Sequence, residues 1–346
     1  MLVFCDSFDY YGGDVSTKWT PGLDGAGSID LVGGHARTGR GCMVLDGAVF
    51  GPYRAINPIS HIIVGDAIDL AGGATGYVFM LVNTTAAGGV YSNNVAIQIN
   101  PDLSVGWSLG TPGGYTPQGA SAPNVCIANG YNYIEAEVKL SLTATGSVKI
   151  RVNGQVVYSV SGVVTVGFFI PSAICDTVRL CGSGGTSVEY HDDFYILDCS
   201  TPPNDAFFGA VRIYACLPKA DSTPLQWTPS VAGLHYPLVN SVPPDLTKWV
   251  ESNTVGQQDL YIHDVSAIPS TVNVLACQHD LLGLVDAAGA RSIASSVNGN
   301  VDANSFALST SGSQYLTQYD TDPVTGLAWQ LTDLVASREL GPAVTS

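Results

Sequence analysis

Glu135 and Glu137 stand two apart in the run YIEAEVKL that begins at Tyr133. Residues i and i+2 of an extended chain share a face, so the two carboxylates are presented side by side. Such a pair cleaves a glycosidic bond when the acids lie about 5 to 5.5 Å apart and one has a raised pKa. Lys139 continues on the same face as a counter-charge, so the pair is read as a solvated strand surface and no catalytic residue is assigned. His191, Asp192 and Asp193 place an imidazole beside two acids, but adjacent strand residues point to opposite faces, so at most two of the three converge. His35, His61, His235, His263 and His279 are far apart, and H-E-x-x-H does not occur. Asn298, Asn300, Asp302 and Asn304 alternate like part of a calcium loop, yet Ser309 stands where the bidentate Glu belongs, which favours a polar turn. The 8 cysteines contain no C-x-x-C pair, which disfavours zinc and leaves buried reduced thiols as the expectation.

The elements that must position these residues read as strands. In Tyr131 to Gly162, Val148, Ile150 and Val152 share one face and Lys149 and Arg151 the other, after which Asn153-Gly154 supplies the two positive-φ residues of a tight primed turn. Further strands are predicted at Leu2 to Phe8, Gly41 to Val49, His61 to Asp69, Gly76 to Asn83, Asn94 to Asn100, Ser104 to Leu109 and Val188 to Leu197, with Gly-Gly and Asn-Gly pairs between them. Only 12% of residues are charged, and 39 glycines and 19 prolines accompany 46% apolar residues, a composition suited to an all-β chain. Pro202 and Pro203 end the pattern. The expected organisation is a sandwich over 1–200, a linker at 201–206 and a second, smaller β-domain over 207–346, opening with a strand at Phe207 to Leu217. Later strands are expected at Leu260 to His263, Thr271 to His279, Ala290 to Val297, Ser305 to Leu308 and Trp329 to Leu334. A net charge of −16 argues against a nucleic-acid partner. No apolar run approaches the roughly 18 residues of a membrane span, and no export signal opens the chain, so synthesis in a cytoplasm and no membrane partner are expected.

YIEAEVKL, SVKIRVNGQVVYSVSG, DDFYILD and the opening FCDSFDYY resemble the concanavalin A-like, laminin G-type jelly roll over about residues 1–200. Glycanases on that fold carry three alternating acids, and here Lys139 or Leu140 takes the third place. The resemblance implies a calcium site at a loop rim, for which Asp6, Asp9, Asp192 and Asp193 are the candidates if first and last strands pair. A glycan platform of aromatics and amides is sought at Tyr91, Asn93, Asn94, Trp107 and Tyr115, although Trp107 in SVGWSLG alternates like a core residue. FFGAVRIYACLPKADSTPLQWTPS, HYPLVNSVPPD, WVESNTVGQQDLY and YDTDPVTGLAWQLTDL resemble the C-terminal region of tailed-bacteriophage structural proteins. That resemblance implies a non-enzymatic virion component, a fibre, neck or tail appendage. Its partners would be other virion proteins, further copies of the chain, as in a trimer, and a host-surface glycan. Trp227, Trp249 and Trp329 are then expected to pin the irregular segment or bury a subunit contact. The alternatives are a capsid decoration protein, a carbohydrate-binding lectin and, behind these, a glycan hydrolase.

Overall fold

The computed structural model describes residues 1–11, 15–23, 27–31, 34–37, 39–70, 75–84, 93–111, 114–167, 170–183, 188–286 and 289–346. They form two compact units, one of residues 1–9 and 13–213, the other of residues 10–12 and 214–346. The boundary falls beyond the two prolines at which the sequence pattern breaks.

In the first unit the strands in chain order are β1 (Leu2–Asp6), β2 (Ser28–Asp30), β3 (Cys42–Asp46), β4 (Tyr53–Ile59), β5 (His61–Asp69), β6 (Gly76–Val82), β7 (Asn93–Ile99), β8 (Val105–Thr111), β9 (Gly114–Ala120), β10 (Tyr131–Lys139), β11 (Gly146–Val152), β12 (Gln155–Val163), β13 (Cys175–Leu180) and β14 (Val188–Asp198). They make two antiparallel sheets, β12-β11-β10-β5-β14-β3-β2 with β1 on β14, and β4-β13-β6-β7-β8-β9. The expected all-β sandwich is the observed fold. Asn153 and Gly154 take φ of 48° and 82°, the primed turn that twists in the same sense as its flanking strands. Val148, Ile150 and Val152 are buried beneath it while Lys149 and Arg151 face outward. Four strands escape sequence reading: β2, β4, β9 and β13. Pro58 interrupts β4 and Pro117 β9, and each of these strands lies at the edge of its sheet, where a missing N–H costs no ladder bond.

Alternation decides what each sheet encloses. The inner faces bring together Phe79, Leu81, Ile97, Ile134, Val148 and Ile196, all at most 1% exposed. At one end Trp19 packs against Phe4, Phe8 and Phe194 with ring centroids 5.3 to 5.9 Å apart, and its indole donates to Asp6 Oδ2 at 2.8 Å. Buried among these apolar side chains, His191 Nδ1 and Asp66 Oδ2 are 2.6 Å apart.

The second unit contains β15 (Pro218–Leu225), β16 (Thr228–Pro229), α1 (Tyr236–Val239), β17 (Val250–Glu251), β18 (Asp259–His263), β19 (Cys277–Gly283), β20 (Ser292–Val297), β21 (Asn300–Val301), β22 (Phe306–Ala307), β23 (Ser313–Tyr319), α2 (Leu331–Ser337) and β24 (Glu339–Val344). Its main sheet runs β15-β18-β24-β20-β21 with β22 also on β20, and β19 pairs with β23. Three expectations fail here, one being the strand sought at Thr271 to His279, which begins only at Cys277 as β19. The strand sought at Phe207 to Leu217 does not form, and Trp329 to Leu334 leads into α2, because the Gln330 and Asp333 side chains and backbone N–H groups cap one another reciprocally. Trp329 is a core residue, 3% exposed, whose indole donates to the Tyr319 carbonyl at 2.9 Å. Asn298-Gly299, part of the polar run compared with a calcium loop, is the turn of the β20–β21 hairpin. No helix is long and apolar enough to cross a membrane among the described residues.

Burial of two imidazoles makes this unit acid-sensitive. Desolvation holds His263 down to about 4 and His279 to about 3, whereas an unfolded histidine takes up its proton near 6.5. The stability due to them is whole above pH 6.5 and is lost as pH falls through about 4. Thermal unfolding followed by Trp329 fluorescence should therefore show a midpoint that drops from pH 6.5 to 4, less steeply in His279→Asn. A flat profile would contradict this account.

Candidate functional site

Each sheet of the sandwich has an outer face, and the two differ in what lies over them. On β10 of the larger sheet the outward residues are Tyr131, Tyr133, Glu135, Glu137 and Lys139, and the register sets Glu135 beside Gly65 and Arg151. Residues 207–213, expected as the first strand of the second domain, instead cross this face. Gly209 N donates to Glu135 Oε1 at 2.8 Å, Phe208 N to the Tyr195 hydroxyl at 3.3 Å and Ile213 N to Asp193 Oδ1 at 2.7 Å. Arg37 donates to the Val211 carbonyl at 2.7 Å, and the Arg151 guanidinium lies 5.0 Å from the Phe207 ring centre.

Beneath this strap the paired acids are separately committed. Glu135 is fully buried, accepts from the Tyr195 hydroxyl at 2.6 Å and has Arg151 3.5 Å away. Glu137 has His61 Nε2 at 3.0 Å and accepts from Lys149 Nζ at 2.9 Å. The His61 contact, assisted by Lys149 against the opposing effect of burial, holds its carboxyl down to about 2. Glu137 is thereby held ionised, and Glu135 is covered by the Gly209 N–H.

The four aspartates considered for calcium are occupied by N–H donors. Asp6 accepts from Phe8 N and the Trp19 indole, and Asp9 from Arg40 N and Gly41 N. Asp192 accepts from Arg37 N and Asp193 N, and Asp193 from Ile213 N and the guanidinium groups of Arg37 and Arg212. Strands β1 and β14 do pair, as that reading required. Among the described residues no group of three or more His, Cys, Asp or Glu is arranged to hold a metal ion. All eight cysteines are free thiols.

The six-stranded sheet presents a different outer face. Its registers align Tyr53, Arg179, Met80, Ala96, Ser108 and Pro117 in one row across all six strands, a span of about 24 Å at the usual strand spacing. Beside this row Tyr77 is opposite Gln98, and Tyr115 on β9 reaches Met80 Sδ on β6 at 3.0 Å. Strands β9 and β6 stand three spacings, about 14 Å, apart on a flat sheet, so the contact reports that the sheet curls over this face. Tyr77 and Tyr115 have ring centroids 5.0 Å apart. Burial pushes both phenols up.

A chain of polar groups runs alongside the rings. The Ser108 hydroxyl donates to Gln98 Oε1 at 2.7 Å, Gln98 Nε2 to Asn100 Oδ1 at 2.8 Å and Asn100 Nδ2 to the Ser104 hydroxyl at 2.9 Å, which itself donates to Asp102 at 2.6 Å. Each amide is thereby held in one orientation. Thr75, Gly76, Tyr77, Gln98, Ile99 and Pro101 line an open depression at this end of the face.

Of the residues sought as a glycan platform, Tyr115 lies on this face. Trp107 does not: it is 2% exposed on the inner side, where its indole donates to the Tyr158 hydroxyl at 3.3 Å. Tyr91 lies outside the described residues, as do the side chains of Asn93 and Asn94, whose backbone opens β7. Tyr77, Gln98, Asn100 and Arg179 were missed. The signal that could have found them is alternation, since YVFMLV and VAIQIN place Tyr77, Met80, Ala96 and Gln98 on the side opposite Phe79, Leu81, Val95 and Ile97 once the bulge near Val78 is allowed for. In the second unit the Trp227 indole donates to the Gln257 carbonyl at 3.3 Å, and Trp249, 49% exposed, to Glu251 Oε2 at 3.3 Å.

No protein-family model matches the chain, and no curated protein does. Among solved structures, it is similar to an endo-β-1,4-glucuronan lyase from the fungus Trichoderma reesei, at 12% identity over 57% of this chain and 95% of that one, TM-score 0.41. It is also similar to an alginate lyase from Aplysia kurodai, at 12% identity over 57% and 99%, TM-score 0.42. The receptor-binding domain of a botulinum neurotoxin C/D mosaic serotype matches at 10% identity over 52% and 43%, TM-score 0.34. At such TM-scores these likenesses do not say what the chain does. The expectation of a non-enzymatic virion component is corrected nonetheless: the structures found are polysaccharide lyases and a toxin domain, and no phage family model matches.

The Glu137 arrangement makes a measurable claim. Its carboxyl titrates at about 2 in the fold against about 4.3 when unfolded, so its contribution is whole above the unfolded value and is lost as pH falls through about 2. Glu137→Gln should lower stability at pH 7 by about 1 kcal/mol and flatten the acid limb of the denaturation curve. An unaltered acid limb would remove the assignment.

Proposed function

We propose that this chain binds a carbohydrate on the curved outer face of its six-stranded sheet. The observation that carries the reading is the pairing of Tyr77 and Tyr115, 5.0 Å apart, with the immobilised Gln98 and Asn100 amides on one face. Sugar rings present apolar C–H faces and equatorial hydroxyls. Aromatic rings receive the former, and amides offering both a donor and an acceptor receive the latter. Because the amides are fixed before binding, little ordering entropy is lost when a ligand arrives.

The reading is one of binding and not of turnover. Phenols raised by burial are poor bases near neutrality, and an arginine stays protonated. Asp102 and Asp176, at the ends of the strands, are bonded to Ser104 and Thr84. Glu135 and Asp193 of the other sheet lie under residues 207–213.

Affinity electrophoresis and titration calorimetry against a polysaccharide panel test this. Gln98→Ala and Tyr77→Ala should each weaken binding about tenfold, equivalent to 1.4 kcal/mol, while Lys139→Ala on the other sheet leaves it unchanged. Absence of binding to every polysaccharide, or full affinity in the Gln98 and Tyr77 variants, would overturn the proposal, and release of new reducing ends would overturn its non-catalytic part.

A further inference from the structure

The rings of Tyr77 and Tyr115 belong to a longer aromatic surface. Met80, Val82, Ala96 and Cys181 form a buried cluster on the outer side of the six-stranded sheet, and Phe50, Tyr77 and Tyr115, themselves half-buried, pack against it. Aromatic side chains therefore close this cluster and are what a ligand would meet. Tyr53 adds a fourth ring from β4, at the edge of the sheet. It is paired with Arg179, whose guanidinium carbon lies 5.5 Å from the Tyr53 ring centre and 5.6 Å from that of Phe50.

Arg179 acts here as a spacer. Its Nε and Nη1 are enclosed and have no acceptor, and arginine cannot relieve that cost by losing its proton. Attraction to the two rings offsets part of it. Moving either ring away would remove that compensation, so Phe50 and Tyr53 keep their places before any ligand arrives. Ring faces fixed in this way suit the C–H faces of successive sugar units. The amides of Gln98 and Asn100 run beside the Tyr77 end of this surface, where Tyr77 and Gln98 line the open depression. Their ladder ends on Asp102, exposed and held ionised by bonds from the Ser104 hydroxyl and N–H. That carboxylate and the net charge of −16 both repel an anionic substituent.

We propose that the aromatic surface running from Tyr77 and Tyr115 through Phe50 to Tyr53 takes several consecutive units of an uncharged polysaccharide; this rests on the sugar-binding reading. Gln98 and Asn100 bond the unit at the Tyr77 end, and stacking holds the units that follow. Arg179 is a positioning residue for the far pair of rings and touches no sugar.

The experiment uses the full chain with disaccharides and hexasaccharides of the cello-, manno- and laminari- series, and with hyaluronan hexasaccharide as the acidic comparator. In at least one neutral series the hexasaccharide should bind about tenfold tighter than the disaccharide, and hyaluronan should bind more weakly than that hexasaccharide. Tyr53→Ala and Phe50→Leu, the latter keeping an apolar cover over Met80, should each remove most of the gain with length while disaccharide affinity stays as in the parent chain. Arg179→Met should do the same by freeing the two rings, and melting curves report whether each variant is folded. Tyr77→Ala should weaken both lengths. Equal affinity for the two lengths in every series that binds would overturn the extended surface and leave sugar binding standing, as would an undiminished gain with length in the folded Tyr53 and Phe50 variants. Hyaluronan binding as tightly as the best neutral hexasaccharide would overturn the uncharged assignment. Failure of every oligosaccharide to bind would sink both readings.

Discussion

Strict alternation across the strands is the constraint on which the rest of the sandwich depends. Side chains repeat every two residues, so a slip of one would exchange the faces of an entire strand. In β6 and β7 that slip would take Phe79, Leu81, Val95 and Ile97 out of the space between the sheets and drive Gln98 into it. The buried set is large enough to forbid it, and the outward set is thereby aligned across six strands without any need for sequence neighbours to cooperate. The face is a by-product of a register that the core enforces.

The two outer faces show how one fold treats the same problem differently. On the larger sheet, buried polar groups such as Glu135 and Asp193 find partners in the chain itself, because residues 207–213 bring backbone N–H groups to them. That closes the surface and removes its acids from solvent chemistry. On the six-stranded sheet the amides bond to one another and to serines, so their orientation is set.

Much of the fold was legible. The Asn153-Gly154 hairpin and the alternation in β10 and β11 follow from turn chemistry and period two, and the pairing of first and last strands is what the jelly-roll resemblance implied. What was not legible has local causes. Pro58 and Pro117 disguised edge strands, and Pro342 disguised β24, although this strand lies between β18 and β20. Gly341 is required there, since a Cβ would collide with the Asp259 carbonyl. Phe207 to Leu217 has the alternation of a strand, but Phe208, Gly209 and Ile213 donate to side chains on the sheet surface below, and no ladder forms.

The sequence by itself determined the all-β class, most strands of the sandwich and the scarcity of catalytic motifs, because turn residues and period-two patterning act over a few positions. It also offered Tyr115 as a candidate for a glycan platform. Only the tertiary structure decided that Glu135 is covered, and that Tyr77, Gln98 and Arg179 share one face with Tyr115. Those residues come from separate strands, and it is the inter-strand register, set by burial of their neighbours on the opposite side, that brings them together.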